Sequence, residues 1–241
     1  MNKVRLLQTG YNRAAFNMGL DEAVMQTVNP GLPVLRLYGW IPPAVSIGYF
    51  QSMRDEVDVD ACRASGVDIV RRVTGGGAVF HDAELTYSFI TREHPQNVKE
   101  SYELICGALI SGLATIGVQS SFVPLNDIVS GGKKISGNAQ TRKNGVLLQH
   151  GTILLEVDVD RMFSLLKVPS EKMRDKIVAN VKERVTGIHK EFVETSKAIQ
   201  GGFASTFQSS LEQGEPSSSE IKLAKNLANT KYSADSWNFL R

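Results

Sequence analysis

The sequence predicts an α+β fold of mixed β-sheets with flanking helices, and three features point there. Short β-branched and aromatic runs, punctuated by Gly and Pro, crowd the first 157 residues. From Asp158 onward the apolar residues recur mostly at helical spacing. Strands and helices are therefore segregated rather than alternating, which argues against a doubly wound parallel sheet. At 241 residues, with 42% hydrophobic and 22% charged side chains, the chain is long enough for one large domain with a substantial core. We expect one domain over 1–241, strand-rich over 1–157 and mainly helical over 158–241.

Val4 to Gln8 reads as a short strand, and Ala14 to Val28 as a helix whose Phe16, Leu20, Ala23 and Val24 fall at helical spacing. Pro33 to Trp40 and Ala44 to Phe50 form a two-strand unit broken by Pro42-Pro43. A helix over Asp55 to Ser65 ends at Gly66 and returns the chain to a strand that delivers Arg71. Glu84 to Thr91 alternates as a strand. Asn97 caps a long helix running to about Ile116, and Gly117 ends it. Short strands follow at Ser120 to Val123 and Asp127 to Val129, then Lys133 to Ser136 after the Gly131-Gly132 turn. Asn144-Gly145 is a hairpin signal before Val146 to Val157, an apolar strand interrupted by Gln149, His150 and Gly151, as at a bulge or a site. Helices are expected over Asp160 to Leu166, Ser170 to Lys176, Val193 to Phe207 and Ser219 to Lys231, with Gln213 to Ser219 as a linker.

Charge and cysteine content narrow the function. Lys and Arg total 27 against 25 Asp and Glu, and the basic residues are scattered, so nucleic acid and membrane surfaces are not expected partners. No apolar run approaches the ~18 residues of a bilayer span, and the first residues lack a signal-peptide core, so a cytoplasmic protein is expected. Cys62 and Cys106 make no disulfide or metal pattern and sit in helical segments, where a small buried residue is the usual role.

Arg71 to Ser88, R-R-V-T-G-G-G-A-V-F-H-D-A-E-L-T-Y-S, is the stretch with the most chemistry in it. Gly75, Gly76 and Gly77 let a ligand approach bare main chain, with amides free to face an anion. Alternation sends only one of Arg71 and Arg72 toward that ligand. Neither a P-loop nor a dinucleotide fingerprint is present. A second cluster runs from Asn126 to Gln140, where Lys134 is favoured over Lys133 because Ile135, Ser136 and Gly137 can bring it against a ligand as a compact cation. Asp127 upstream could hold Mg²⁺. With His81, these residues make a site for an anionic ligand, and residue chemistry alone goes no further.

The motifs R-R-V-T-G-G-G-A-V-F-H-D at Arg71 to Asp82, N-D-I at Asn126 to Ile128 and K-I-S-G-N-A-Q at Lys134 to Gln140 resemble the lipoate-protein ligase family. F-N-M-G-L-D-E-A from Phe16, H-G-T-I-L-L from His150, R-V-T from Arg184 and W-N at Trp237-Asn238 support it in the same order. The resemblance implies the catalytic-domain fold shared with biotin-protein ligases. It also implies an ATP-dependent ligase: lipoate, ATP and Mg²⁺ give lipoyl-AMP, and a lysine of an acceptor lipoyl domain then takes the lipoyl group. The acceptor would be a 2-oxoacid dehydrogenase E2 subunit or a glycine cleavage H protein.

Carried over residue by residue, Arg72 and Gly77, Ala78, Val79 and Phe80 contact the nucleotide. Thr74, Gly75, Gly76, His81, Asn126, Ser136 and Gly137 line the same site, Lys134 is catalytic, and Asp127 assists Mg²⁺. Full-length ligases usually continue past W-N into an accessory domain, so the resemblance also implies a split ligase with a separate small accessory subunit. A sister group, octanoyltransferases that move an acyl chain from a carrier protein without ATP, is the alternative. A-E-L-T-Y-S at Ala83 to Ser88 and Y-G-W at Tyr38 to Trp40 look closer to that group. Its nucleophilic cysteine belongs before the lysine strand or beside H-G, where this chain has Ser130, Gly131 and Gln149. On that ground the resemblance ranks ligase first.

Overall fold

A computed structural model describes residues 2–168 and 173–241. Lys3–Asn12 (β1) leads into α1 (Ala14–Thr27), and the two strands expected next form as β2 (Val34–Trp40) and β3 (Ala44–Ile47), but they make no unit: β2 joins the large sheet and β3 the small one. The helix expected over 55–65 is divided into α2 (Met53–Glu56) and α3 (Val59–Ala64). The break occurs because Val57 is extended and the Asp58 side chain caps the second piece through the Ala61 amide. The glycine loop is held between β4 (Asp68–Arg71) and β5 (Val79–His81), and β6 (Glu84–Thr91) comes next. Asn97 caps α4 (Val98–Thr115) by accepting from the Lys99 and Glu100 amides.

Beyond α4 come β7 (Ser121–Val123), β8 (Asp127–Ser130), β9 (Lys133–Lys143) and β10 (Val146–Leu154). Asn144 and Gly145 join the last two with φ of 53° and 74°, the left-handed pair that a tight hairpin needs. Helices α5 (Val159–Leu165), α6 (Arg174–Arg184) and α7 (Phe192–Thr206) follow. Part of the helix expected over 170–176 lies outside the described residues. Then come β11 (Ser210–Gly214), α8 (Ser218–Leu227), one π-helical stretch (Ala228–Tyr232) and α9 (Asp235–Asn238).

Strand β11 departs from expectation. Gly, Pro and Ser make its neighbourhood read as linker, yet Ser210 to Gly214 pair in parallel with Lys3 to Leu7. An available sheet edge decides strand formation here against weak local propensity.

Among the described residues, eight strands form one sheet in the order β11-β1-β2-β6-β10-β9-β8-β7, and three form a second in the order β4-β3-β5. Helices α4 and α7 cover one face of the large sheet, burying Leu35, Tyr87, Phe89, Leu147, Ile105 and Phe203 in one cluster. The two helices touch backbone to backbone, for a Cβ on Gly202 would fall on the Ala108 carbonyl. The other face is covered partly by α1 and α8, through Leu7, Leu20, Ile90, Leu148 and Ala224, and partly by the small sheet. A cleft remains between the small sheet and the middle strands β6, β10 and β9. No helix of the described residues is long and apolar enough to cross a membrane.

Candidate active site

Strand alternation separates the two arginines. Arg71 turns away from the cleft, and its guanidinium donates to the carbonyls of Tyr49, Gln51, Trp237 and Asn238, pinning α9 to β4. Arg72 turns inward. Its Nη1 donates to Ser46 O and Oγ at 2.9 and 2.6 Å, and its Nη2 to the Gly75 and Gly77 carbonyls at 3.0 and 2.9 Å. With those carbonyls drawn to Arg72, no described residue accepts from the amides of Gly75, Gly76 or Gly77. Burial without an acidic partner pushes the Arg72 pKa down to about 10. The loop packs so closely on β3 that a Cβ on Gly48 would meet the Gly76 carbonyl.

Lys134 comes from the opposite wall. Its Nζ lies 2.8 Å from Asp127 Oδ1, across the β8–β9 pairing, while Lys133 points out toward the end of α6. Gly137 lets the lysine lie back along its own strand, since a Cβ there would come within 3.0 Å of Nζ. Asn126 and Asn138 bracket this wall, each side-chain amide donating to the other's carbonyl oxygen.

Glycine loop and lysine meet at a cavity of about 150 Å³. Of the residues expected here, Arg72, Gly76, Gly77, Ala78, Val79 and His81 line it from the small sheet, and Asn126, Lys134 and Gly137 from the large one. Five others do not. Gly75 faces a separate surface hollow, Phe80 faces a neighbouring cavity, Asp127 acts through Lys134, Ser136 is fully buried, and Thr74 Oγ1 lies 2.7 Å from His150 Nε2. The neighbouring cavity, of about 430 Å³, is walled by Phe80, Leu154, Val157, Met162 and Val185. It shares Ala78, Val79, Lys134, Gly137 and Thr152 with the first, so Lys134 stands where the two join.

Residue reasoning missed much of the remaining lining: Met18 of α1, Trp40, Thr86, Asn138, His150 and Thr152. The polar interruption of β10 was the one signal for part of it. His81 stacks on Trp40 at 4.1 Å, with Nδ1 at 2.8 Å from Glu84 Oε1 and Nε2 at 2.6 Å from Ser46 Oγ. His150 Nδ1 is 3.4 Å from Asp21 Oδ2, and Asp21 also accepts from Arg36, Ser88 and Tyr38. Burial pushes the His150 pKa down, against the pull of Asp21. Burial also opposes ionisation of Asp21, yet Arg36 and His150 together hold its carboxyl below the ordinary value. Both imidazoles are thus held at both ring nitrogens and shape the cavity as fixed walls.

The description of the lipoyl protein ligase A/B catalytic domain matches residues 13–200. The chain belongs to the lipoyl protein ligase A/B catalytic domain family. Octanoyltransferase LipM of Kyrpidia tusciae is 40% identical over 99% of both chains, and those of Symbiobacterium thermophilum and Bacillus subtilis are 38% and 36% identical over 97% and 98% of both. The first of these matches extends over 273 positions, more than the 241 residues present here, so that relative carries segments without a counterpart in this member of the family. Among solved structures, a bipartite lipoate protein ligase from Thermoplasma acidophilum superposes with a TM-score of 0.91 at 32% identity, covering 99% of this chain and 96% of that one. A lipoate-protein ligase A bound with ATP gives 0.85 at 29%, covering 99% and 98%.

The family and fold expected from the motifs are those found; the reaction is not. The curated relatives are named as octanoyltransferases, which overturns the expectation of an ATP-dependent, adenylate-forming lipoate ligase with ATP and Mg²⁺ as cofactors. The physical difference is that a transferred acyl group arrives already activated and needs no nucleotide. Asp127 was to assist Mg²⁺, but its carboxylate is engaged with Lys134, and no group of three or more His, Cys, Asp or Glu among the described residues could hold a metal ion. The earlier ranking rested on the missing cysteine, a local feature outweighed by similarity along the whole chain.

Proposed function

We propose that this protein is an acyltransferase that moves an octanoyl-type chain from a carrier-protein thioester to a lysine of an acceptor lipoyl domain, without ATP. The observation that carries this is the junction of two cavities at Lys134. The smaller, walled in part by Met18, Tyr38, Trp40 and Val79, takes the acyl chain; the larger, with Phe80, Leu154, Val157 and Met162, takes the arm that delivers it. The thioester carbonyl then lies beside Lys134 Nζ, where negative charge develops on its oxygen as a nucleophile adds.

The loop amides and Arg72 face the same developing charge. Arg72 has no carboxylate partner among the described residues, so its field in this buried place is not neutralised by protein. Asp127, on the outer side of Lys134, fixes the direction in which the ammonium points. The accessory subunit implied by the resemblance served the adenylation half, and acyl transfer does not call for it. Similarity to octanoyltransferases supports this reading at the level of the whole chain.

The test is direct. Purified protein is incubated with octanoyl-loaded carrier protein and an unmodified lipoyl domain, with no nucleotide or divalent metal, and the domain is weighed by mass spectrometry. An octanoylated lysine is expected. An unmodified domain under these conditions would remove the proposal.

A further inference from the structure

A transferase can carry its acyl group on a nucleophile of its own between donor and acceptor, or it can hold donor and acceptor together. The choice depends on whether an unengaged nucleophile reaches the carbonyl beside Lys134. The sequence contains two cysteines, and both are described. Cys62 lies in α3 under the small sheet, packed with Val45, Ile47, Val57 and Val67. Cys106 lies in α4, and its Sγ accepts from Gln149 Nε2 at 3.9 Å. Gln149 is the residue before His150, so alternation along β10 puts the two on opposite faces of the sheet: His150 lines the cleft, and Cys106 sits behind the sheet among the core residues of the α4–α7 layer. Its closeness to the H-G element is therefore closeness through a strand, with no path to the substrate.

Burial also keeps both thiols from ionising, pushing Cys62 up to about 11 and Cys106 to about 12. The places where the resemblance puts a nucleophile hold Ser130, whose hydroxyl donates to the Gln119 carbonyl at 2.7 Å, and the fully buried Gln149.

Among the described residues the remaining candidates fail for separate reasons: Thr86, which lines the smaller cavity, donates to Glu84 Oε1 at 2.5 Å and accepts from Trp40 Nε1 at 2.7 Å. Ser46 has a histidine and a carboxylate in line behind it, Ser46 Oγ to His81 Nε2 at 2.6 Å and His81 Nδ1 to Glu84 Oε1 at 2.8 Å, which resembles a charge-assisted nucleophile. But Ser46 is fully buried on the middle strand of the small sheet, accepts from Arg72, and lines neither cavity. Thr152 lines both cavities, yet both histidines are engaged elsewhere and none stands beside it as a base. Acylation of Lys134 itself would end in a stable amide.

Resting on the transfer reading above, we infer that the acyl group passes straight from the donor thioester to the acceptor lysine in one ternary complex, with no acyl-enzyme intermediate. The neutral acceptor amine adds to the thioester carbonyl carbon. A C–N bond forms and the carbonyl electron pair moves onto oxygen beside Lys134. When that pair returns the C–S bond breaks, the sulfur leaves with the electron pair and takes up the proton released by nitrogen, and the products are an amide and a free thiol. Two cavities meeting at one lysine are the geometry this order of events requires, because the acyl chain and its delivery arm stay bound until the amine arrives.

The experiment uses the unmodified protein. Incubated with octanoyl-carrier protein alone, it should show no octanoyl adduct by intact mass. With acceptor domain added, octanoylated domain should form, and initial rates with both substrates varied should give intersecting double-reciprocal lines. A Cys62→Ser, Cys106→Ser double variant should keep turnover within about twofold, provided its thermal melt shows it folded. An octanoyl adduct on any enzyme side chain that is chased onto the acceptor, with parallel lines, overturns the inference and leaves the transfer reading standing. Absence of octanoylated domain in every arm removes the transfer reading, and this inference with it.

Discussion

The two faces of the large sheet are built from the same strands and do opposite work. Toward α4 and α7, Tyr87, Phe89, Leu147 and Ile153 meet Ile105, Leu109 and Phe203 in a dry layer. Toward the cleft, the intervening positions Thr86, Ser88 and His150 join Asp21, Arg36 and Glu84 in polar networks that are almost as completely buried. The first face holds through area and packing density. The second holds because nearly every polar group in it has a partner, and Glu84 Oε2 is an exception. Alternation along one strand therefore separates stability from chemistry by a single residue step, as at Gln149 and His150.

The comparison can be broken most strongly on the polar face. Asp21→Ala leaves the fully buried Arg36 guanidinium without its carboxylate, which is 2.7 Å away, and breaking such a pair costs about 3–5 kcal/mol. Urea unfolding should show that loss together with reduced transfer. Lys134→Ala should lower the rate of lipoyl-domain acylation by about 10²–10³-fold, the usual effect of removing one oxyanion donor. Its midpoint of thermal unfolding should hardly move, because the residue is half-exposed and its ion pair is near solvent. A matching fall in stability would mean that the lysine holds the fold rather than the carbonyl.

Substitution on the dry side of the same strand should do the reverse. Gln149→Leu removes a hydrogen bond from Nε2 to Tyr87 OH and a side-chain oxygen without a partner, so stability should change by about 1 kcal/mol or less, with acylation retained. Loss of acylation comparable to that of Lys134→Ala would show that the two faces are coupled.

A pH-dependent effect lies away from both. Although burial opposes its ionisation, the Arg5 guanidinium and the Ser217 amide bring the Glu220 pKa from 4.5 down to about 2. Because the folded value is the lower one, its stabilisation is complete above about pH 4.5 and fades as pH falls toward 2. Thermal melts of Glu220→Gln and the parent should converge over that range, and parallel curves would count against the pairing.

Much of the architecture was legible in local pattern. Asn97 as a cap, Asn144-Gly145 as a hairpin turn and Glu84 to Thr91 as a strand each carry their reason in a few adjacent residues. The helix over 55–65 was misread because Asp58 is an acceptable helix residue and a better cap. Strand β11 was missed because its partner, β1, is some two hundred residues away in the chain. At the site, the glycine loop and Lys134 were legible because glycine triplets and Gly-flanked lysines are unusual. Trp40, Thr86 and Thr152 were not, because an aromatic or a threonine on a strand has the same appearance whether it faces solvent, core or ligand.

Residue types and short spacings were enough for the family, for a first half rich in strands, and for a bare glycine loop and a Gly-flanked lysine as binding elements. Packing settled the rest: Arg72 shapes that loop while Arg71 anchors α9, Cys106 lies behind the sheet and out of reach, and two cavities join at Lys134. Those outcomes depend on which face of a strand is turned toward which layer, and that is set when distant segments pack together to bury their apolar sides.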